Sequence, residues 1–290
     1  MHWQTSRFLV DLTTPKVMGI VNVTPDSFSD GGSHASCDTA IAHCERLLKD
    51  GADILDIGGE STRPGALELS LEDELARVLP VVRHAVTLGV PVSVDTYKPQ
   101  VMQAVLDLGV DIINDVWALG WHADTEGSTG VEVVRQHPAC GVCLMHMHRN
   151  PQTMQVTPME GDVIQQVLSF LEQSAHALRA LGVDAARICI DPGIGFGKTV
   201  QQNFALLGQQ AALAPLGYAL MAGWSRKSSL AAVTGRSLAS VATLDMRDRL
   251  VPSVTAALLA VQNGAHVVRV HDVKDMVQAL KVLEAMRQHS

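Results

Sequence analysis

Cysteine is scarce in this sequence, and the features of membrane and nucleic-acid-binding proteins are missing. Five cysteines among 290 residues, an odd number, fit a reducing compartment better than a disulfide scaffold. No stretch approaches the roughly 20 apolar residues of a membrane span, and residues 1–14 lack the apolar segment of a secretory signal. The net charge of −8 and the absence of a Lys/Arg run argue against a nucleic-acid partner. We therefore expect a soluble cytoplasmic protein.

Two of the cysteines, Cys140 and Cys143, form a CxxC pair. No second pair completes a zinc site, and the pair continues into an apolar run. This pattern favours buried strand cysteines over a redox or metal site.

Short apolar runs alternate with longer amphipathic ones along the chain. The predicted strands are 16–23, 53–57, 90–94, 111–113, 141–145, 187–190, 218–222 and 265–270. The predicted helices are 39–49, 71–88, 99–108, 130–137, 160–181, 201–213, 248–263 and 274–287. Strands that alternate with helices form a parallel sheet, and eight repeats close into a barrel. The sequence therefore predicts an α/β fold, a single (β/α)8 TIM-type barrel over residues 1–290 with its core at about 15–285.

Polar residues lie at or just past the end of every predicted strand. They are Asn22, Asp56, Asp95, Asn114, His146, Asp191, Lys227, Arg269 and His271. Active sites of barrel enzymes form at the carboxyl ends of the strands. A turn or a helix cap explains any one of these residues equally well. Eight positions in register favour one convergent site.

Two loops at these strand ends have the composition of ligand-binding loops. The loop 22–32 is long and polar and contains one aromatic residue, Phe28, which favours a lid over a plain surface loop. The loop 56–65 contains paired glycines, and its Arg63 can either reach an anion or pair with Glu60.

Three further segments contain residue types that occur in anion-binding sites. The segment 191–199 lacks the glycine that a P-loop requires where Pro192 stands, so it predicts only a tight turn under a ligand. Ser225 or Ser228 is expected to cap a helix that faces the barrel mouth. Arg269 and His271 share one face of the last strand and suit phosphate oxygens. A structural Arg–Asp pair is the alternative for Arg269.

Together these segments resemble the dihydropteroate synthase family. The matching stretches are MGIVNVTPDSFSDGG (18–32), DIGGESTRPGA (56–66), SVDTYKP (93–99), INDV (113–116), LMHM (144–147), NPQTMQ (150–155), DPGIGFGKT (191–199), SRKS (225–228) and RVHDV (269–273). They follow one another in order across nearly the whole chain, and the first two are long and specific.

The resemblance implies a Mg²⁺-dependent enzyme, usually a homodimer and a sulfonamide target, that joins 4-aminobenzoate to a hydroxymethyl-dihydropterin diphosphate and releases diphosphate. The residues it implies for the pterin are Asp95, Asn114, Met145, Asp191 and Lys227. Those it implies for the diphosphate are Thr62, Arg63, Arg269 and His271. Those it implies for 4-aminobenzoate are Phe28, Pro64, Phe196 and Ser228. It implies Asn22 for Mg²⁺, and Asp30, Arg63 and Lys227 for catalysis. It also implies that loops 24–37 and 60–67 form a lid that excludes water from the reacting centre.

Two other readings stay open at this stage. One is a pterin-dependent methyltransferase that feeds a corrinoid, and the other is a non-catalytic pterin-binding paralogue. The chain departs from the family pattern at His148-Arg149, Trp224, Val251-Pro252 and 117–119. None of these positions has an assigned role.

Overall fold

The structure is a computed structural model of the chain. It describes residues 1–23, 33–62, 66–121, 128–151, 153–154, 156–234 and 247–289.

A closed parallel barrel forms the centre of the molecule. Its eight strands, counted over the described residues, are β3 (Lys16–Asn22), β4 (Ile54–Gly58), β5 (Val92–Asp95), β6 (Ile112–Asp115), β7 (Gly141–Met145), β8 (Ile188–Asp191), β9 (Ala219–Ala222) and β10 (Val267–Val270). Each strand pairs with the next one in the sequence, and β10 pairs with β3. The predicted (β/α)8 barrel is confirmed. The predicted strand 141–145 has the observed bounds, and the other predictions overlap the observed strands.

Helices follow the strands on the outside of the barrel. They are α1 (Ser33–Lys49), α2 (Leu71–Ala85), α3 (Pro99–Asp107), α4 (Gly130–Gln136), α5 (Val163–Ala180), α6 (Val200–Gly208), α7 (Ser228–Val233), α8 (Arg247–Gln262) and α9 (Val273–Gln288). The predicted helix 201–213 is wrong in its length, because α6 ends at Gly208 and a separate 3-10 helix spans Gln210–Leu216. None of the described helices is long and apolar enough to cross a membrane.

Side chains alternate along each strand between the helix layer and the barrel interior, as the pleat requires. In β4, Leu55 and Ile57 belong to the outer core, whereas Ile54 belongs to an interior cluster near the amino-terminal end of the barrel. The same alternation turns Asp56 inward, one step above Ile54. The barrel interior is therefore apolar at its lower end and polar towards the carboxyl ends of the strands.

An N-terminal hairpin, absent from the sequence prediction, closes the apolar end of the barrel. Its strands β1 (His2–Gln4) and β2 (Leu9–Asp11) pair antiparallel. Trp3 is fully buried in the interior cluster, and its indole N–H donates to the carbonyl of Arg187 at 2.9 Å. Strands this short carry almost no pattern, and packing against the barrel floor stabilises them.

The cysteines are free thiols. Cys143 lies in β7 beside Cys189 of β8, and Cys140 is buried just before β7. Burial raises the pKa of the Cys140 thiol to about 11, so it is protonated at neutral pH. The interpretation of the CxxC pair as buried cysteines is confirmed.

Candidate active site

Inward-facing polar side chains converge at the carboxyl ends of the strands. Arg269 of β10 donates from Nε to Asp56 Oδ2 at 2.6 Å and from Nη2 to Asp95 Oδ2 at 2.7 Å. Asn114 of β6 donates from Nδ2 to Asp56 Oδ2 at 3.3 Å. Four strands thus contribute to one network. The structural Arg–Asp pair considered for Arg269 is present, with Asp56 and Asp95 as the carboxylates.

The charges of this network depend on burial. Burial raises the pKa of Asp95 to about 7, although Arg269 acts in the opposite direction. Burial also lowers the pKa of Arg269, but Asp56 and Asp95 outweigh that effect and raise it above its ordinary value. Arg269 therefore stays cationic, and Asp95 titrates near neutral pH.

Asp191 ends β8 on the opposite side of the opening. Its Oδ1 accepts the backbone N–H of Gly193 at 2.7 Å, and burial raises the pKa of the carboxyl while Gly193 and Lys227 lower it. Met145, its register partner on β7, joins an apolar cluster at the mouth that also contains Tyr97 and Met154. Asp191 therefore lies beside a partly apolar part of the mouth.

The glycine-rich segment after β8 forms the predicted tight turn. Gly193, Gly195 and Gly197 have φ values of 67°, 84° and 71°, a region that favours glycine. A Cβ on Gly195 would lie 3.2 Å from Lys227 Cδ, so this turn and Lys227 are close neighbours. The Lys227 ammonium lies 4.2 Å from the centre of the Phe196 ring. The structure therefore brings together two residues that the sequence assigned to different substrates.

Lys198 holds this turn from within and was missed by the sequence analysis. Its buried Nζ donates to the carbonyls of His146 at 3.2 Å, Gly193 at 2.8 Å and Phe196 at 3.1 Å. Burial lowers the pKa of Lys198 to about 7. The sequence signal is a lysine inside a glycine-rich turn. Because this turn does not match the P-loop pattern, the sequence gives the lysine no specific role.

A second missed cluster anchors the start of the loop after β4. Lys98 is buried and donates to Glu60 and, at 2.7 Å, to Glu74, while the Tyr97 hydroxyl donates to Glu60 at 3.0 Å. Glu60 is therefore engaged by Lys98 and Tyr97. Thr62 follows on the wall of a cleft at the barrel mouth that Tyr97 also lines.

The expected serine caps are wrong. The N-cap of α7 is Lys227, which makes no side-chain cap bond, and Ser228 is the first helical residue. Ser225 instead binds His271. Its Oγ lies 2.9 Å from the ring atom His271 Nδ1 and accepts the backbone N–H of His271 at 3.2 Å. Ser225 thus orients the imidazole that was assigned to the diphosphate.

His146 does not join the convergent site. It follows the inward-facing Met145, so alternation turns it towards the helix layer, where its ring packs edge-on against Phe170 at 4.9 Å. Burial lowers its pKa to about 3, so it stays neutral. The expectation that every strand end contributes a polar residue to the site is wrong at this strand.

Four of the assigned residues lie outside the described residues: Phe28, Asp30, Arg63 and Pro64. Residues 24–32 and 63–65 of the two expected lid loops lie there too. Asn22, assigned to Mg²⁺, ends β3 and is half-buried. Across the described ranges, no group of three or more His, Cys, Asp or Glu side chains is arranged to hold a metal ion.

Comparison with known proteins places this arrangement in a family. Residues 18–271 match the pterin-binding enzymes. The chain belongs to this family. It is 48% identical to the dihydropteroate synthase of Neisseria meningitidis serogroup B, over 98% of this chain and 97% of that protein. Identity to the Escherichia coli K12 dihydropteroate synthase is 44%, over 95% and 93%.

Solved structures agree with this placement. The Xanthomonas albilineans dihydropteroate synthase with 4-aminobenzoic acid superposes with a TM-score of 0.86 at 45% identity, covering 96% of this chain and 95% of that one. The Burkholderia cenocepacia enzyme complexed with 7,8-dihydropteroate gives 0.85 at 44% identity, covering 99% and 97%. The activity of this pterin-binding enzyme is that of a dihydropteroate synthase, a transferase of folate biosynthesis. The corrinoid methyltransferase alternative is not favoured.

Proposed function

We propose that this chain condenses 4-aminobenzoate with (7,8-dihydropterin-6-yl)methyl diphosphate and forms 7,8-dihydropteroate and diphosphate. The observation that carries the proposal is the convergence of Asp95, Asn114, Asp191 and Arg269 inside the barrel mouth, beside the contact between Lys227 and Phe196. Relatives with 4-aminobenzoate or dihydropteroate in their crystals share this fold.

The proposed pterin site recognises one edge of a bicyclic ring through hydrogen bonds. A dihydropterin presents an alternating series of donors and acceptors. Asp95, Asp191 and the Asn114 oxygen accept its amino and ring N–H groups, and Lys227 contacts its acceptors. Met145 supplies an apolar contact. Because these groups are largely buried, a ring without the matching edge leaves them unpaired and binds weakly.

The proposed diphosphate site adjoins the pterin site at Arg269, which contacts Asp95. Arg269 binds its carboxylates through Nε and one Nη2 hydrogen. Its other N–H groups can donate to phosphate oxygens. His271, held by Ser225, lies two residues further along the same face of β10. Thr62 and Arg63 complete this site from the loop after β4.

The residues present fit a magnesium ion that is shared with the substrate. Mg²⁺ prefers oxygen ligands and is commonly held by one or two side chains together with substrate phosphates. Asn22, at the end of β3 next to β10, would supply one amide oxygen. A magnesium ion held there would help to neutralise charge on the diphosphate.

The proposed reaction begins with cleavage of the CH₂–O bond, whose electron pair leaves with the diphosphate. The pterin ring delocalises the positive charge, and Arg269 stabilises the developing negative charge. The amine lone pair of 4-aminobenzoate then forms the C–N bond. The resulting aryl-ammonium is acidic and loses its proton without a strong general base.

The 4-aminobenzoate site completes the proposal. Phe196 and Ser228 line it from the turn after β8 and from the start of α7, and Phe28 and Pro64 close it from the lid loops. Exclusion of water protects the cation, and Asp30, Arg63 and Lys227 act at the reacting centre.

We further propose one domain over residues 1–290, a cytoplasmic location and a homodimer.

The order of binding tests these assignments. Calorimetry should detect the pterin diphosphate on the free protein in the presence of Mg²⁺. It should detect 4-aminobenzoate only when a pterin and diphosphate are already bound, because the closed loops complete that site. Binding of 4-aminobenzoate to the free protein at equal affinity contradicts the arrangement. Failure to bind pterin at all contradicts the proposed function.

A further inference from the structure

Asp56 lies at the centre of the polar network but has no assigned role. It occupies the middle of β4, points into the barrel and is completely buried. Burial of a carboxylate is unfavourable unless charged or polar partners offset the lost hydration. The partners that surround Asp56 therefore indicate what the residue is for.

Both partners of Asp56 are residues that the proposed function assigns to substrate. Its Oδ2 accepts Arg269 Nε at 2.6 Å and Asn114 Nδ2 at 3.3 Å. With Asp95 on Nη2, two carboxylates fix one edge of the guanidinium. The plane of Arg269 is thereby set, and its remaining N–H groups point along defined directions.

The bond to Asn114 has a similar effect. An amide presents a donor at one end and an acceptor at the other. Because Asn114 Nδ2 donates to Asp56, the Asn114 oxygen is directed away from Asp56 as an acceptor. A pterin N–H can bind it there without any reorientation of the side chain.

A purely structural role explains Asp56 poorly. Buried ion pairs add little net stability compared with apolar residues of similar volume. Asp56 Oδ1 is buried and finds no hydrogen-bond partner among the described residues, so the carboxylate is incompletely satisfied. This arrangement contributes little to the free energy of unfolding, but it does hold the Arg269 and Asn114 side chains in fixed orientations.

We propose that Asp56 is a positioning residue that sets the plane of the Arg269 guanidinium and the orientation of the Asn114 amide before substrate binds. The inference rests on the proposed function for the roles of those two residues. Asp56 acts mainly on the diphosphate through Arg269 and, more weakly, on the pterin edge through Asn114.

The test compares Asp56→Asn with a matched control just before the same strand. Asp53→Asn alters a carboxylate that accepts the Val17 N–H at 2.8 Å, before β4 begins and away from the mouth. We expect Asp56→Asn to weaken the binding of pterin diphosphate by about 30-fold or more, the scale for removal of one partner of a buried charge pair. Affinity for a hydroxymethylpterin without diphosphate should fall less. The Asp53→Asn protein should lose stability but keep wild-type affinities.

A double-mutant cycle separates positioning from a structural role. If Asp56 acts through Arg269, the Asp56→Asn/Arg269→Ala protein should bind pterin diphosphate about as well as Arg269→Ala alone. Losses that multiply, or an Asp56→Asn protein with a lower Tm and unchanged affinities, overturn the inference. If Asp56→Asn does not fold, Asp56→Ser is measured on the same ligands. A wild-type protein that binds neither ligand contradicts the proposed function itself.

Discussion

The buried carboxyl of Asp95 has a pKa near neutrality, which links the site to pH. Burial raises this pKa to about 7, Asp56 and Glu74 add to the effect, and Arg269 and Lys227 oppose it. The native protein therefore holds this proton more tightly than the unfolded chain. Consequently, this group lowers the free energy of unfolding as the pH rises from about 4 to about 7.

Ligand binding should have the opposite dependence on pH. Pterin N–H donors require the ionised carboxylate, so affinity for a non-reacting pterin should rise with pH below about 7 and level off by about pH 8. The rise should approach tenfold per pH unit at its steepest, about the limit for one proton. Calorimetry across this range checks it. The Asp95→Asn protein should show no such rise, and a wild-type affinity independent of pH contradicts the role of Asp95.

Asp191 offers a second test at the residue scale. Because its Oδ1 accepts the Gly193 N–H, an asparagine here should keep that oxygen in place and turn its NH₂ towards the ligand. Donor then faces donor, so we expect Asp191→Asn to weaken pterin binding by roughly 2–4 kcal/mol. The control is Asp275→Asn on the exposed first turn of α9. Equal affinities for the two proteins would refute the assignment of Asp191.

At this scale, the sequence predicts which residues are polar and where the strands end. It does not predict the direction of a side chain beyond the last paired residue. His146 follows Met145 and points outward. Alternation predicts this direction only when the exact end of β7 is known. The pairing of Arg269 with Asp56 and Asp95 joins residues far apart in the sequence, and no local pattern contains it.

At the scale of elements, the turn after β8 connects backbone geometry to the substrate site. A Cβ on Gly193 would lie 1.9 Å from the carbonyl oxygen of His146, whereas Gly217, also at positive φ, has open space around that position. The two glycines share a left-handed conformation and differ in their surroundings. They form a matched pair for separating backbone strain from steric overlap.

Gly193→Ala should therefore destabilise the protein far more than Gly217→Ala. We expect a loss of about 3 kcal/mol or more at Gly193, where the turn must move, and about 1 kcal/mol at Gly217, where only the left-handed conformation is unfavourable. Urea denaturation followed by fluorescence measures the two losses. Equal losses of stability would contradict the close approach of Gly193 to the His146 carbonyl oxygen, just after β7.

Long elements with strong periodicity were predictable, and short ones were not. The barrel strands are apolar on both faces and are bounded by helices, so their positions follow from composition. The strands β1 and β2 have three residues each, and α7 has six. Their stability comes from contacts such as that of Trp3 with the barrel floor, which the local sequence does not contain.

At the scale of the whole molecule, we expect the barrel to supply the pterin pocket and the loops after β3 and β4 to cover it. Phe28 lies outside the described residues and remains a prediction as a lid residue. Phe28→Ala should leave pterin affinity almost unchanged, raise KM for 4-aminobenzoate and increase the ratio of hydrolysed pterin to dihydropteroate. Stability should hardly change. An unchanged KM, or a large drop in Tm, would indicate a packing residue instead.

The measurement that tests the central claim most directly is a product balance on the purified chain. Protein with Mg²⁺ and pterin diphosphate is assayed with and without 4-aminobenzoate, and dihydropteroate and diphosphate are quantified by chromatography. We predict that the two products appear in equal amounts when both substrates are present, and that omission of 4-aminobenzoate abolishes dihydropteroate. No dihydropteroate from folded protein supplied with both substrates would contradict the account.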